Sequence, residues 1–302
     1  MEATADVVVN ASRLCFVDPF GMALLGATFH TIRNQGRSVQ ICGLSAEMGG
    51  YLERMDVFEG IELVDCAPMP MQRHNRGDSL VELTRLGARR DVDEASFRLA
   101  HAVVGHIPGI NPDEPPDEMT GYTAFERLVE PVQYALNELL ENALTHAKGH
   151  GFPDACVWVA SQYYPRKGMI QLAVVDDGCG FLASLRNHPA LRRESHIDAI
   201  FTALMPRISC NRDLGLSSES VNQGVGLTTT FRIAEQAGGR LVIASGDAIH
   251  DTVGRSYQLT EDNFWQGVAV AMECRRDRLP DIRFRDLLPP LDAQPVRRLR
   301  FE

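Results

Sequence analysis

The sequence predicts an α+β protein: a two-layer α/β sandwich over residues 121–274, preceded by a small α/β domain over 1–70. Three observations predict it. The first seventy residues alternate short β-branched runs with helix-like stretches. A long amphipathic helical pattern runs from Tyr122 to Lys148. Four strand-like runs then follow, with one helix among them. A small α/β layer accounts for the first observation. The mixture in the other two favours a sandwich over a doubly wound sheet.

The elements follow in order. Val7-Val8-Val9 is a short β-branched run, and Leu14 to Val17 reads as a second strand or its continuation. Asp18-Pro19-Phe20-Gly21 reads as a turn. From Met22 to Arg33, the residues Leu24, Leu25, Thr28, Phe29 and Ile32 lie mostly on one helical face, and Gly36 stops the helix. Ser38 to Cys42 reads as a strand, Gly50 to Phe58 as a short helix and Ile61 to Val64 as another strand. Residues 71–120 read as linker and helix. The helix spans 91–106, and four prolines between Ile107 and Pro116 break any regular element after it.

In the helix after Tyr122, Phe125, Leu128, Val129, Val132, Leu136, Leu139, Leu140, Ala143 and Leu144 recur at three- and four-residue steps. Pro131 lies inside the pattern, where it either kinks the helix or opens a second one at its first turn. Strand-like runs follow at Ala155 to Ala160, Ile170 to Val175, Arg240 to Ala244 and Gly267 to Met272, with a helix at Thr228 to Ala237. Residues 275–302 read as an Arg/Pro-rich tail, solvated or docked on a partner.

Composition narrows the class. At 302 residues the chain has room for about two domains. Hydrophobic residues make up 44% and charged residues 23%, ordinary values for a soluble globular protein. A net charge of -10 argues against a general nucleic-acid binder. No apolar run reaches the ~18–20 residues of a spanning helix, so no membrane partner is expected. Seven cysteines, an odd count with no C-x-x-C, argue against a disulfide framework or zinc site and point to a reducing cytoplasm.

Three motifs carry chemistry. Glu138, Asn142 and His146 are spaced i, i+4, i+8 and share one helical face. An Asn oxygen is a hard ligand suited to Mg²⁺. A Glu one turn away can orient or deprotonate a nucleophile. In Val174-Val175-Asp176-Asp177-Gly178-Cys179-Gly180-Phe181, an apolar strand delivers an acid into a turn of alternating glycines. A carboxylate there can accept a hydrogen bond from an exocyclic amine such as that of adenine. In Asn222-Gln223-Gly224-Val225-Gly226-Leu227-Thr228, glycines run into a helix N-terminus, a natural anion site. Taken singly, the three also describe a polar helix stripe, a strand-to-turn connection and a capped loop.

In this order and spacing the motifs resemble the GHKL superfamily, whose fold is the Bergerat type. It includes gyrase-type ATPases, mismatch-repair ATPases, histidine-kinase catalytic domains and anti-sigma-factor serine kinases. The helix with Glu138 and Asn142 resembles the family's N box. Asp176 to Gly180 and Gly224 to Leu227 resemble its two glycine boxes. The resemblance implies ATP and Mg²⁺ as cofactors, with Glu138 as the catalytic residue and Asn142 on the metal. It implies that Asp176 reads the adenine amine and that Gly178 and Gly180 shape its pocket. Gly224, Gly226, Leu227 and Thr228 would then hold phosphate, under a lid at residues 182–223. One departure stands out. Many kinase members carry a Thr after a Gly on a late strand, supporting the Asp. Here the match is Gly267-Val268, so a neighbouring Thr or a water has to substitute. The only lysines, Lys148 and Lys167, exclude a P-loop.

Glu138 to His146 is most similar to the anti-sigma-factor serine kinases. Phe16 to Met22 followed by a helix resembles the phosphorylation-loop region of STAS domains, the usual partners of those kinases, without the phosphoacceptor serine. A regulatory protein partner is implied, and a homodimer is compatible. The alternatives are an ATP-gated interaction module without phosphoryl transfer, or the catalytic part of a histidine kinase lacking its own phosphoacceptor. His101 and His106 lie in a helix-like stretch without the motif such an acceptor carries. A gyrase-like or mismatch-repair clamp would add a further domain supplying a Lys to the γ-phosphate.

Overall fold

The computed structural model describes residues 7–71, 80–105, 107, 109–111, 113–206, 208, 226–260, 263–282 and 287. The N-terminal unit alternates strands and helices: β1 (Val7–Asn10), α1 (Pro19–Asn34), β2 (Val39–Cys42), α2 (Ala46–Arg54) and β3 (Glu62–Val64), with no strand at Leu14–Val17. Its three strands form a parallel sheet in the order β1-β2-β3. Two starts differ from expectation. Asp18-Pro19-Phe20-Gly21 is the opening of α1, not a separate turn. The Asp18 carboxylate accepts from Gly21 N at 2.8 Å, and Pro19 occupies the first turn, where a missing N–H costs nothing. α2 likewise starts at Ala46, capped by Ser45, and ends by Arg54.

β4 (Leu80–Leu86), α3 (Arg90–Val104), α4 (Ala124–Ala147), β5 (Val157–Tyr164) and β6 (Met169–Asp176) come next. Two short helices follow, α5 (Gly180–Leu185) and α6 (His196–Ala203). The chain closes with α7 (Gly226–Gln236), β7 (Arg240–Gly246), β8 (Ala248–Asp251), β9 (Ser256–Gln258) and β10 (Trp265–Arg275), then a 3-10 turn at Arg276–Asp281. Seven strands form one sheet in the order β4-β5-β6-β10-β7-β8-β9, and every neighbouring pair is antiparallel. The stretch expected as linker and helix therefore contributes an edge strand. β4 pairs with β5, and α3 packs beside α4.

α4 is the long helix the periodicity predicted. A reciprocal capping box opens it: Glu126 N donates to Thr123 Oγ1 at 3.0 Å, and Thr123 N donates to the Glu126 carboxylate at 2.8 Å. The helix runs through Pro131 without a break. Its apolar stripe meets α3, α7 and one face of the large sheet, in a core that includes Leu99, Leu140, Ile170, Leu172, Leu241 and Ile243. The two-layer arrangement expected for this part is thus present.

The second sheet face is covered as well. α1 lies across β4, β5, β6 and β10, between the two sheets. Its small residues Ala23, Gly26 and Ala27 are buried there. A Cβ on Gly26 would stand 2.8 Å from the Trp158 ring and 2.9 Å from Leu83. The N-terminal unit is therefore docked, through an apolar face, on the back of the sheet whose strand β6 ends in Asp176. The segment after residue 275 packs as far as it is described. Leu279, Ile282 and Leu287 are buried in the main core, and Arg276 Nη1 donates to the Tyr163 hydroxyl at 2.8 Å. Among the described residues, no helix is long and apolar enough to cross a membrane.

Candidate functional site

The exposed side of α4, the end of β6 and the start of α7 enclose one recess. Asn142 and His146 of α4, Asp176 of β6, Gly180 and Phe181 of α5, and Leu227 of α7 line it. Asp176 is 4% exposed. Its Oδ1 accepts from Gly178 N at 3.0 Å, and the Val268 backbone N–H is a second donor. Burial nevertheless dominates and pushes the carboxyl up from 3.8 to about 7, against the two N–H groups that favour its charge; neighbouring Asp177 adds to the rise. Support for this Asp at the Gly267-Val268 step thus comes from main chain, not from a Thr hydroxyl. A hydroxyl sits nearby all the same. Ser245 Oγ donates to Gly267 O at 3.0 Å and accepts from Phe181 N at 3.1 Å, fixing the start of α5.

Gly178 and Gly226, one from each box, are places of close approach. A Cβ on Gly178 would stand 2.3 Å from Cα and O of Ala147, so this turn lies directly on the end of α4. A Cβ on Gly226 would stand 2.5 Å from Leu139 N and 2.9 Å from the Glu138 carbonyl carbon. Ala147 and Leu139 are about 12 Å apart at 1.5 Å rise per residue. The two glycine boxes thus meet α4 at two points along one face, with Asn142 between them. Gly180 holds φ +77, and α5 begins on it. Gly178→Ala is expected to force the turn off α4 and cost roughly 2–3 kcal/mol, as overpacking does. Urea denaturation checks this; an unchanged midpoint would show that the turn yields.

Asn142 Oδ1 is buried and has no hydrogen-bond partner among the described residues. A carbonyl-type oxygen left this way, beside the recess, suits a hard cation better than it suits packing. No group of three His, Cys, Asp or Glu that could hold a metal exists among the described residues. The buried Asn142 oxygen fits an ion that one amide would hold together with ligand phosphates and water, the habit of Mg²⁺.

The other expected site residues divide. Glu138 lies one turn before Asn142, with its backbone under Gly226, and does not line the recess. Thr228 is in the first turn of α7, but its hydroxyl donates to Leu204 O at 3.2 Å, tying α7 to the end of α6. Gly224 lies outside the described residues, as does much of the expected lid. The described part of that lid holds α5 and α6. His146 lines the recess, with its pKa lowered chiefly by burial, and its carbonyl accepts from the Cys179 thiol at 3.1 Å. Ser184, which the motifs did not flag, also lines the recess and donates to Gly180 O at 3.0 Å.

Asp177 leaves the recess altogether. Its Oδ2 meets His30 Nδ1 of α1 at 2.6 Å, and its Oδ1 accepts from Cys156 N at 2.7 Å. His30 is raised to about 9, first by the hydrogen bond to Asp177 and then by that to Cys156, against the effect of burial. His101 packs its ring 4.1 Å from Phe97 and 5.1 Å from Phe125. Burial lowers its pKa. His106 lies outside the described residues.

Residues 128–260 match the family described as histidine kinase-, DNA gyrase B-, and HSP90-like ATPase. No curated protein and no solved structure matches the chain. The matched span runs from the first turns of α4 to just past β9 and contains all three motifs. It supports a GHKL ATP-binding domain in this part of the chain, and such domains bind ATP, usually with Mg²⁺.

Proposed function

We propose that the chain is an Mg-ATP-dependent signalling or regulatory protein of the anti-sigma-factor-kinase type. ATP would lie along α4, between the Asp176–Gly180 turn and the start of α7. One observation supports this above the others: a buried carboxylate and an amide oxygen without a partner among the described residues face the same recess. In this reading Asp176, ionised, accepts from the adenine amine. Phe181 and Leu227 flank the base and exclude water. Asn142 holds the metal, and the bound Mg²⁺ supplies charge neutralisation on the phosphates. Gly226 opens α7, whose N-terminal dipole favours negative charge. Glu138 is one turn of α4 from the metal ligand and takes the proton of the attacking hydroxyl.

A second reading keeps ATP binding and drops the transfer: an ATP-gated interaction module in a cytoplasmic pathway. The docked N-terminal unit favours it, because that unit touches the nucleotide turn from behind through His30 and Asp177. Glu138 separates the two. Glu138→Gln is expected to lower turnover or partner labelling by about 100-fold or more while ATP affinity stays within about twofold. Incubating the pure protein with labelled ATP, with and without cell lysate, distinguishes hydrolysis, self-labelling and partner labelling. A wild type that binds ATP and does none of the three supports the gated module and overturns the kinase reading.

A further inference from the structure

Asp176 and Asp177 are neighbours at a strand end, so their side chains leave on opposite sides of the sheet. Asp176 faces the recess. Asp177 faces α1, where both its carboxylate oxygens are used: Oδ2 against His30 Nδ1 at 2.6 Å, Oδ1 by Cys156 N at 2.7 Å. The pair is well covered, with side-chain exposures of 11% for His30 and 6% for Asp177. The His30 ring stands edge-on to Trp158 at 5.6 Å, and Cys156 Sγ lies 3.9 Å from its Nε2. Gly26, one turn earlier on α1, brings the helix close enough for this reach.

The backbone of residues 176–178 is therefore held from two sides. On the recess side, Gly178 rests on Ala147 without room for a methyl group. On the other, His30 grips the residue between Asp176 and Gly178. Gly267 closes the third direction, since a Cβ there would stand 2.0 Å from the Asp176 carbonyl oxygen.

We propose that His30 is a positioning residue of the nucleotide site, through which the N-terminal unit sets the angle at which Asp176 meets adenine. The proposal rests on the ATP reading above. Without His30, the covered Asp177 carboxylate loses its charged partner and has to turn toward water. Gly178 is held against Ala147, so the motion passes to the Asp176 side of the turn. A hydrogen bond weakens steeply when its angle is lost, so a small rotation suffices. The coupling runs both ways: a partner that shifts α1 would alter ATP affinity, and ATP would alter the affinity of that partner by the same factor.

The test is calorimetric titration of ATP and of inosine triphosphate, which lacks the amine, into wild type and four variants. Loss of one well-formed hydrogen bond predicts that His30→Ala binds ATP about tenfold more weakly. Inosine triphosphate should change less than about twofold, because no amine contact is at stake. His30→Asn puts an amide nitrogen close to where Nδ1 stood and should restore ATP affinity. If His30→Ala does not fold, His30→Gln, whose amide sits one bond farther out, should show the same ATP-selective loss. Equal losses for both nucleotides, no loss for ATP, or failure of Asn to rescue would overturn the proposal. Asp176→Asn is the control. If that variant binds ATP like wild type, the adenine assignment itself fails and takes this proposal with it. If it weakens ATP while the His30 variants do not, only this proposal fails.

Discussion

Asp176→Asn should yield a more stable protein that holds ATP about 100-fold more weakly, the equivalent of roughly 3 kcal/mol. Both effects come from one buried carboxyl. In the folded chain it ionises near 7 instead of 3.8, with burial as the main cause. A folded pKa above the unfolded value means the unfolded chain gives up its proton first. Stability is therefore lost as the pH rises from about 4 to about 7, and the penalty is complete above that range. Asn carries no such charge. Its Oδ1 can still accept from Gly178 N. At pH 8 the variant is expected to gain on the order of 2 kcal/mol, or about 5 °C in melting temperature. The cost falls on the ligand. The Asn Nδ2 would point donors at the donor amine of adenine, and inosine triphosphate, with an acceptor there, should gain relative to ATP. The same ionisation sets a pH dependence: wild-type ATP affinity rises as pH climbs through about 7 and then levels, and the Asn variant lacks that step. Thermal melts paired with nucleotide titrations check all of this. Unchanged ATP affinity would contradict the placement of the base.

Asn142→Ala carries the second large effect. Its Oδ1 is buried without a partner among the described residues, so the apo protein gives up little by losing it. The Mg²⁺-bound state gives up a ligand. The variant is expected to fold at least as well as wild type and to lose most of the difference between ATP affinity with Mg²⁺ and with chelator, roughly 10- to 100-fold. Affinity for metal-free ATP should stay near wild type. Titrations in Mg²⁺ and in chelator measure the difference directly. A Mg²⁺ effect equal to that of wild type would remove Asn142 from the metal.

Much of the recess was legible because its residues lie on elements with strong local signals. Asn142 and His146 ride a helix announced by three- and four-residue periodicity. Asp176 ends an apolar run, and Gly178 sits where a turn has to lie on a helix. β4 was harder. Leu80 to Leu86 is short, and a register shift between Val81 and Thr84 puts Val81 and Leu86 in one core and Leu83 in the other, so no clean period shows. β8 and β9 are too short, and too exposed in β9, to show a period. The docking of α1 left only a faint trace, the small residues Ala23, Gly26 and Ala27, which describe any tightly packed helix. His30 left none, because its partner is 147 positions away and contacts of that range have no local pattern. Asp177 was half legible. Successive residues at a strand end face opposite ways, so an acidic pair there already implies two environments. The substitute for the missing Thr, expected from a neighbouring Thr or a water, was not legible for a chemical reason: the Val268 backbone N–H donates to Asp176, and a sequence does not display a main-chain donor.

The central claim is that α4, the Asp176–Gly180 turn and the start of α7 hold one purine triphosphate. Calorimetric titration of the whole chain with ATP in Mg²⁺ tests it most directly. Saturable binding of one ATP per chain is expected, weakened by chelator and by removal of the adenine amine. The absence of saturable heat up to millimolar ATP would contradict it.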